Sequence, residues 1–219
     1  MPRLLFEKTG TAIYISHLDL MRLFQRAFKR AGLHLTHTQG YNPRPSVSIV
    51  MPLSVGVESH CELLDFALEG DQVSHEEILE RLNGALVSGI RVLRVYEDGC
   101  KTKNLAYLDC SVTMEYDAGV PEDAEGRVEA LFADPSLTVQ KRSKNGITEQ
   151  DIIPMIKALK VTRKDENTLV LQARVCCQNP TLNPAQLVAA IEGYLPEYKP
   201  DYFRCCRWEI YQADETIFR

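Results

Sequence analysis

The chain has 219 residues, 45% of them hydrophobic and 25% charged, with a formal net charge of -5 at pH 7. These proportions suit a globular protein of one large or two small domains, and they exclude a disordered tail or a general nucleic-acid coat. No apolar run approaches the roughly 20 residues needed to span a bilayer, and polar residues follow soon after Met1, so the sequence reads as cytoplasmic and free of membrane.

Charge is distributed unevenly. Residues 1–45 hold seven Lys or Arg against two acids, whereas residues 46–100 hold three against ten. A local positive surface on an acidic protein is selective rather than generally adhesive. Seven cysteines, including two adjacent pairs, read as reduced thiols in a chain with no secretory signal.

Residues Arg3–Lys8 have strand character. Ser16 and Asp19 form a capping box that opens a helix, in which Leu20, Met21, Phe24, Ala27, Phe28 and Ala31 make the apolar stripe. Gly32 closes it, where a left-handed residue is cheapest. The loop "HTQGYNPRP" leads to two alternating strands, Val47–Met51 and Glu62–Leu68, with Leu53–Ser59 turning the hairpin. Ser74 and Glu77 form a second capping box, with Ile78, Leu79, Leu82 and Leu86 inward, and Ile90–Tyr96 closes the unit. The order is βαββαβ, the ferredoxin-like arrangement. Residues 1–98 form this first unit, and Asp98–Asn104 reads as the linker.

Residues 105–219 repeat the order more loosely, so the fold class is α+β, two tandem ferredoxin-like units with antiparallel sheets. Ala106–Tyr116 alternates cleanly, Glu122–Phe132 is a weaker helix, and Leu137–Arg142 is the expected second strand. An insertion, 143–164, has no assigned structure. Thr168–Cys177 is a strand, Asn183 and Pro184 start a helix, and Phe203–Tyr211 ends the unit.

The candidate binding surface lies in the first unit. Free N–H groups at the Ser16 helix start suit a phosphate, with His17 exposed there if Leu18 and Met21 face inward. Arg22, Arg26, Lys29 and Arg30 follow at helical spacing, about 6 Å per turn, near the phosphate repeat of a single strand. In the loop, Tyr41 can stack on a base and Arg44 can donate to an anion. Gln39 and Asn42 complete this polar set. The competing reading is a capped, solvated helix followed by a rigid connection.

The segments "YISHLDLMRLFQRAFKRAGL" (Tyr14–Leu33), "TQGYNPRPSVSIVMPLSVGVES" (Thr38–Ser59) and "ELLDFAL" (Glu62–Leu68) resemble the radical SAM-linked protein family, a domain of unknown function. The resemblance is specific over the first half and follows the second in outline, through "DIIPMIKAL". It implies an accessory role beside a radical-SAM partner, with RNA or ribosome maturation as the setting. Tandem ferredoxin-like units also resemble CRISPR repeat-processing endoribonucleases. The glycine-rich loop usual near the C-terminus of those enzymes is missing, since Gly193 is the last glycine.

No Gly-rich phosphate loop, zinc spacing, Ser–His–Asp ordering or radical-cluster cysteine motif occurs. His34, His37, His60 and Cys61 fit no metal pattern, so neither metal nor cofactor is expected. Cys110, Cys177 and Cys206 share phase with core residues and are expected beneath the second sheet as small hydrophobes, Cys206 in step with Trp208 and Ile210. Tyr107, Asp109, Ser111, Thr113, Gln172 and Arg174 would face outward. The sequence points to a non-catalytic accessory protein that binds RNA or presents a substrate. Its alternatives are a protein adaptor and a metal-independent ribonuclease with His17 as general acid or base.

Overall fold

The computed structural model describes all residues except Asp71, Gln72, Asp98, Lys144 and Asn145. It is a mixed α+β fold with antiparallel sheets and, among the described residues, four α-helices. The chain divides into two compact units, Met1–Asn104 with Phe218–Arg219, and Leu105–Ile217. The last two residues therefore belong with the first unit, where Phe218 is fully buried, rather than with the second. The Asp98 end of the expected linker lies outside the described residues, and Thr102–Asn104 forms a single 3-10 turn.

In the first unit the elements are β1 (Arg3–Lys8), α1 (His17–Arg30), β2 (Val47–Ile49), β3 (Glu58–Phe66), α2 (His75–Ala85) and β4 (Ile90–Tyr96). The strands run β4-β1-β3-β2, each neighbouring pair antiparallel. Leu4 and Phe6 of β1, Leu64 and Phe66 of β3, and Val92 of β4 share one core with Phe24 and Phe28 of α1 and Leu82 of α2. Phe6 meets Phe24 edge-on at 4.8 Å between centroids, and Phe28 meets Phe66 at 5.1 Å. Both spacings fall in the range of favourable aromatic pairs. Leu18 does not join this core. It is 64% exposed because the stripe runs through Leu20, Phe24, Ala27 and Phe28, and position 18 falls off that line.

Both helix starts are capped as their sequences require. Ser16 Oγ accepts from the Asp19 N–H, and Ser74 Oγ from the Glu77 N–H, each at 3.2 Å. Gly32, at φ +67°, ends α1, and its N–H and that of Leu33 satisfy carbonyls of the last turn. A second glycine is demanded for another reason. Gly89 sits at φ +84° before β4, and a Cβ there would lie 2.8 Å from Ala12 Cβ.

The second unit contains β5 (Tyr107–Glu115), α3 (Ala124–Phe132), β6 (Thr138–Ser143), β7 (Gly146–Asp151), β8 (Ile156–Arg163), β9 (Thr168–Cys176), α4 (Ala185–Tyr194) and β10 (Tyr202–Tyr211). Its sheet runs β10-β5-β9-β8, again antiparallel throughout. Val112 and Met114 of β5, Leu169, Leu171 and Val175 of β9, Val128 of α3, and Leu187 and Ile191 of α4 are all buried.

Two expectations fail here. The second strand of this sheet is β8, which comes from the stretch left without assigned structure, whereas Leu137–Arg142 falls on β6, which pairs only with β7 in a separate ribbon. The reason is that β8 is an edge strand whose apolar alternation is interrupted by a register shift between Ile156 and Ala158.

The other failure is in β10. A register shift between Arg207 and Glu209 places Trp208 in a bulge. Cys205 pairs with Val112 and Arg207 with Cys110, so these point inward. Beyond the bulge, Ile210 pairs with Leu108 and again points inward. Cys206 and Trp208 are thereby turned to the outer face, and Cys205 takes the inner place expected for Cys206.

Candidate nucleic-acid interface

The start of α1 is occupied by the protein's own carboxylate. The Ser16 hydroxyl donates to Asp19 Oδ2 at 2.7 Å, and Arg22 Nη1 donates to Asp19 Oδ1 at 2.9 Å. These contacts, the serine first and then the arginine, hold the Asp19 carboxyl below its ordinary range. An incoming phosphate would compete with that charge at the positive end of the helix dipole. His17 is half-buried and Leu18 is exposed beside it, the reverse of the expected arrangement.

The basic residues divide into three groups. Arg22 is tied to Asp19. Arg30 reaches across to the carbonyl of Ala85 at 2.5 Å, where its cation suits the C-terminal end of α2. Arg26 and Lys29 are exposed and line a cleft of about 450 Å³ together with Gln25, His34, His37 and Glu69, over apolar walls that include Phe28 and Leu33. His37 Nδ1 stands 3.7 Å from the Glu69 carboxylate. His17 is twelve residues from Lys29, roughly 18 Å along the helix, so it is not part of this cleft.

Residues 38–44 form a tongue closed at its base. The Thr38 N–H donates to the Arg44 carbonyl at 2.8 Å, and the Arg44 N–H donates to Thr38 Oγ1 at 3.0 Å. His37 and Pro45 bridge just below, and both also line the Arg26–Lys29 cleft. Gln39, Asn42 and Arg44 are exposed, and Tyr41 at the tip is fully so. A large ring with no protein surface to cover it, held on a closed loop whose base lines the cleft with two cations, is suited to stacking on a planar ligand. His34 enters the site because α1 ends at Gly32 and the chain turns back under its own last turn.

The outer face of the second sheet holds the other aromatic surface. Gln172 is exposed, Tyr107, Asp109, Thr113 and Arg174 are partly so, and Ser111 is covered. Arg174 grips Asp109 through Nε and Nη2 at 2.7 and 2.9 Å, reaches Glu215 at 3.2 Å, and lies 4.0 Å over the Tyr211 ring. The Asp109 hydrogen bonds raise the guanidinium above its already high ordinary value. Trp208, for which alternation predicts a core position, is 51% exposed and donates Nε1–H to Ser111 Oγ at 2.8 Å.

All seven cysteines are thiols outside any disulfide. On the inner side, burial pushes the Cys110 thiol up to about 12, with Cys205 adding to the shift, and pushes Cys177 and Cys205 to about 11. Protonated thiols of this kind are inert. Among the described residues no group of three or more His, Cys, Asp or Glu side chains is placed to hold a metal ion, and no helix is long and apolar enough to cross a membrane.

A family model described as an uncharacterized protein conserved in bacteria (DUF2344) matches residues 2–184. No curated protein matches the sequence. Among solved structures, a chain in the crystal structure of a Cbf5-Nop10-Gar1 complex is similar over 98% of this chain and 50% of its own, with a TM-score of 0.52 and 9% identity. The chain thus spans about half the length of that neighbour, and the likeness concerns the fold alone. An unknown protein from Galdieria sulphuraria matches over 94% of this chain and 95% of its own at 10% identity. Its TM-score of 0.27 is too low to bear on the fold.

Proposed function

The chain belongs to this bacterial family of uncharacterized proteins, and we propose its function from its own surface: a non-catalytic RNA-binding or substrate-presenting accessory protein. Each unit is read as ferredoxin-like on its strand order, in which the last, first, third and second main strands lie side by side. The partner is a radical-SAM protein, on the resemblance of the Tyr14–Leu68 segments, and the setting is cytoplasmic.

The observation that carries the reading is the tongue. Tyr41 stands fully exposed at its tip, and Arg26 and Lys29 line the cleft at its base. Base stacking on an aromatic ring and phosphate contact with neighbouring cations are the two halves of single-strand recognition. The chemistry that would make the chain an enzyme has less support. His17, which the sequence offers as general acid or base, lies away from the cleft, and among the described residues neither a nucleophile nor an orienting carboxylate is bonded to it.

The adaptor reading has one observation in its favour. Tyr14, just before α1, and Leu18, in its first turn, are each 64% exposed, and exposed apolar side chains close in sequence suit a protein partner.

Fluorescence anisotropy with labelled single-stranded RNA tests the proposal. Tyr41→Ala should weaken binding about tenfold, within the range of one stacked base. Arg26→Glu with Lys29→Glu should reduce the salt slope by about 1.4, two single-strand phosphate contacts. Unchanged affinity and slope in both variants would remove RNA from the proposal, and co-purification with a radical-SAM protein alone would leave the adaptor.

A further inference from the structure

Two of the strands that build the second sheet carry a bulge, and both bulges serve the same face. In β10 the extra residue is Trp208, between Arg207 and Glu209. In β8 it is Lys157, between Ile156 and Ala158. A bulge turns one additional side chain toward a face that regular alternation would deny it. Here the two side chains so gained, an indole and an ammonium, line one cleft of about 640 Å³ with Lys160, Gln172 and Arg174.

The sheet register explains how they meet. Ser111 of β5 pairs with Gln172 of β9, and Gln172 pairs with Lys160 of β8. Trp208 stands in the bulge between the rows of Cys110 and Asp109, and its indole N–H reaches back to Ser111, so the indole meets the hydroxyl at the head of the row Ser111, Gln172 and Lys160. In the neighbouring row, Asp109 pairs with Arg174 and Arg174 with Ala158. Ala158 is exposed and small, which leaves a low floor between Lys157 and Lys160.

The electrostatics favour an anion. The two acids of the cleft, Asp109 and Glu215, are both engaged by Arg174. Lys157 rests 5.2 Å from the Tyr107 ring centroid, and among the described residues neither it nor Lys160 forms an ion pair. Lysines on an edge strand often serve only to prevent sheet-to-sheet pairing. That explanation does not extend to Trp208, whose half-exposed ring is held in one orientation by a buried hydroxyl.

We infer that this cleft is a nucleotide-binding subsite, with a base stacked on Trp208 and its phosphate held by Lys157 or Lys160. A fixed indole is a stacking platform for any base, and the lysines supply the counter-charge. The same chemistry is offered by a free nucleotide and by a residue of a single strand. The subsite stands on residues separate from the Tyr41 tongue, and the two can succeed or fail independently.

Trp208 is the single tryptophan of the chain, so its emission reports this cleft alone. The full-length protein is titrated with AMP and, separately, with a short oligoadenylate. Saturable quenching is expected from the oligomer, with Lys157→Glu plus Lys160→Glu weakening it about tenfold or more and flattening its salt dependence. Quenching by AMP at similar concentrations assigns the site to a free nucleotide; quenching by the oligomer alone assigns it to a strand. Arg26→Glu with Lys29→Glu should leave the quenching unchanged while altering RNA anisotropy. The inference is overturned if neither ligand quenches, if the double lysine variant quenches as the parent does, or if the Arg26 and Lys29 changes abolish the signal.

Discussion

Two surfaces of this protein combine an exposed aromatic ring with cations, and they are built in opposite ways. On the first, Arg26 and Lys29 sit on a helix whose phase is set by the stripe buried beneath it, and Tyr41 stands on a tongue closed by two hydrogen bonds. On the second, Trp208 and Lys157 owe their positions to single-residue bulges in β10 and β8. A helix holds its phase over many turns because each residue is tied to the turn before it. A strand has a period of two, so one extra residue exchanges its inner and outer sides. The first surface is therefore sensitive to the packing below it, and the second to register.

The largest expected effect tests the buried stripe. Phe24→Ala removes the ring that meets Phe6 and should cost about 3–5 kcal/mol, read as a lowered denaturation midpoint of the full chain. A loss below about 1 kcal/mol would show that α1 is not positioned by this core, and the comparison would lose its first half.

A smaller loss tests the bulged face. Arg174→Ala removes the two hydrogen bonds to Asp109, in a pair that is only partly exposed, and should cost about 2 kcal/mol. It also leaves Asp109 and Glu215 uncompensated, so quenching of Trp208 by oligoadenylate should weaken with it. Loss of stability with unaltered quenching would separate the ion cluster from the cleft and narrow the second surface to Trp208 and the lysines.

The smallest effect concerns the capped start of α1. Ser16→Ala should cost about 1 kcal/mol, the usual value of an N-cap. Because Asp19 is held below its ordinary value, its contribution is fully present above about pH 4. It is lost as pH falls through the lowered folded value, since the carboxyl must then take up a proton. The gap between the melting temperatures of parent and variant should thus narrow in acid, leaving the part due to the Asp19 N–H bond; a constant difference down to the lowest pH would dissociate the Ser16 hydroxyl from the Asp19 carboxylate.

Much of the first unit could be read in advance. The two serine caps, the Gly32 stop, the stripe through Phe24 and Phe28 and the exposed loop around Tyr41 are local features, each settled by residues within a few positions. Arg30 could not be placed that way, because its partner, the Ala85 carbonyl, is 55 residues away. His34 joins the cleft because the chain turns back after Gly32, a path that helix periodicity does not describe. In the second unit β8 carries no clear strand signal, since an edge strand with half its residues exposed and a bulge near its start lacks the clean alternation that marks a strand.

Periodicity and capping chemistry in the chain alone determined the order of elements in the first unit, the buried stripe of its first helix and the exposed loop around Tyr41. They act over one or two turns, where neighbours in sequence are neighbours in space. Which strands pair, where register slips and therefore which side Trp208, Lys157 and the paired cysteines face were decided by the assembled sheets. A bulge costs a strand little locally, and only the partner strand defines where the extra residue must go.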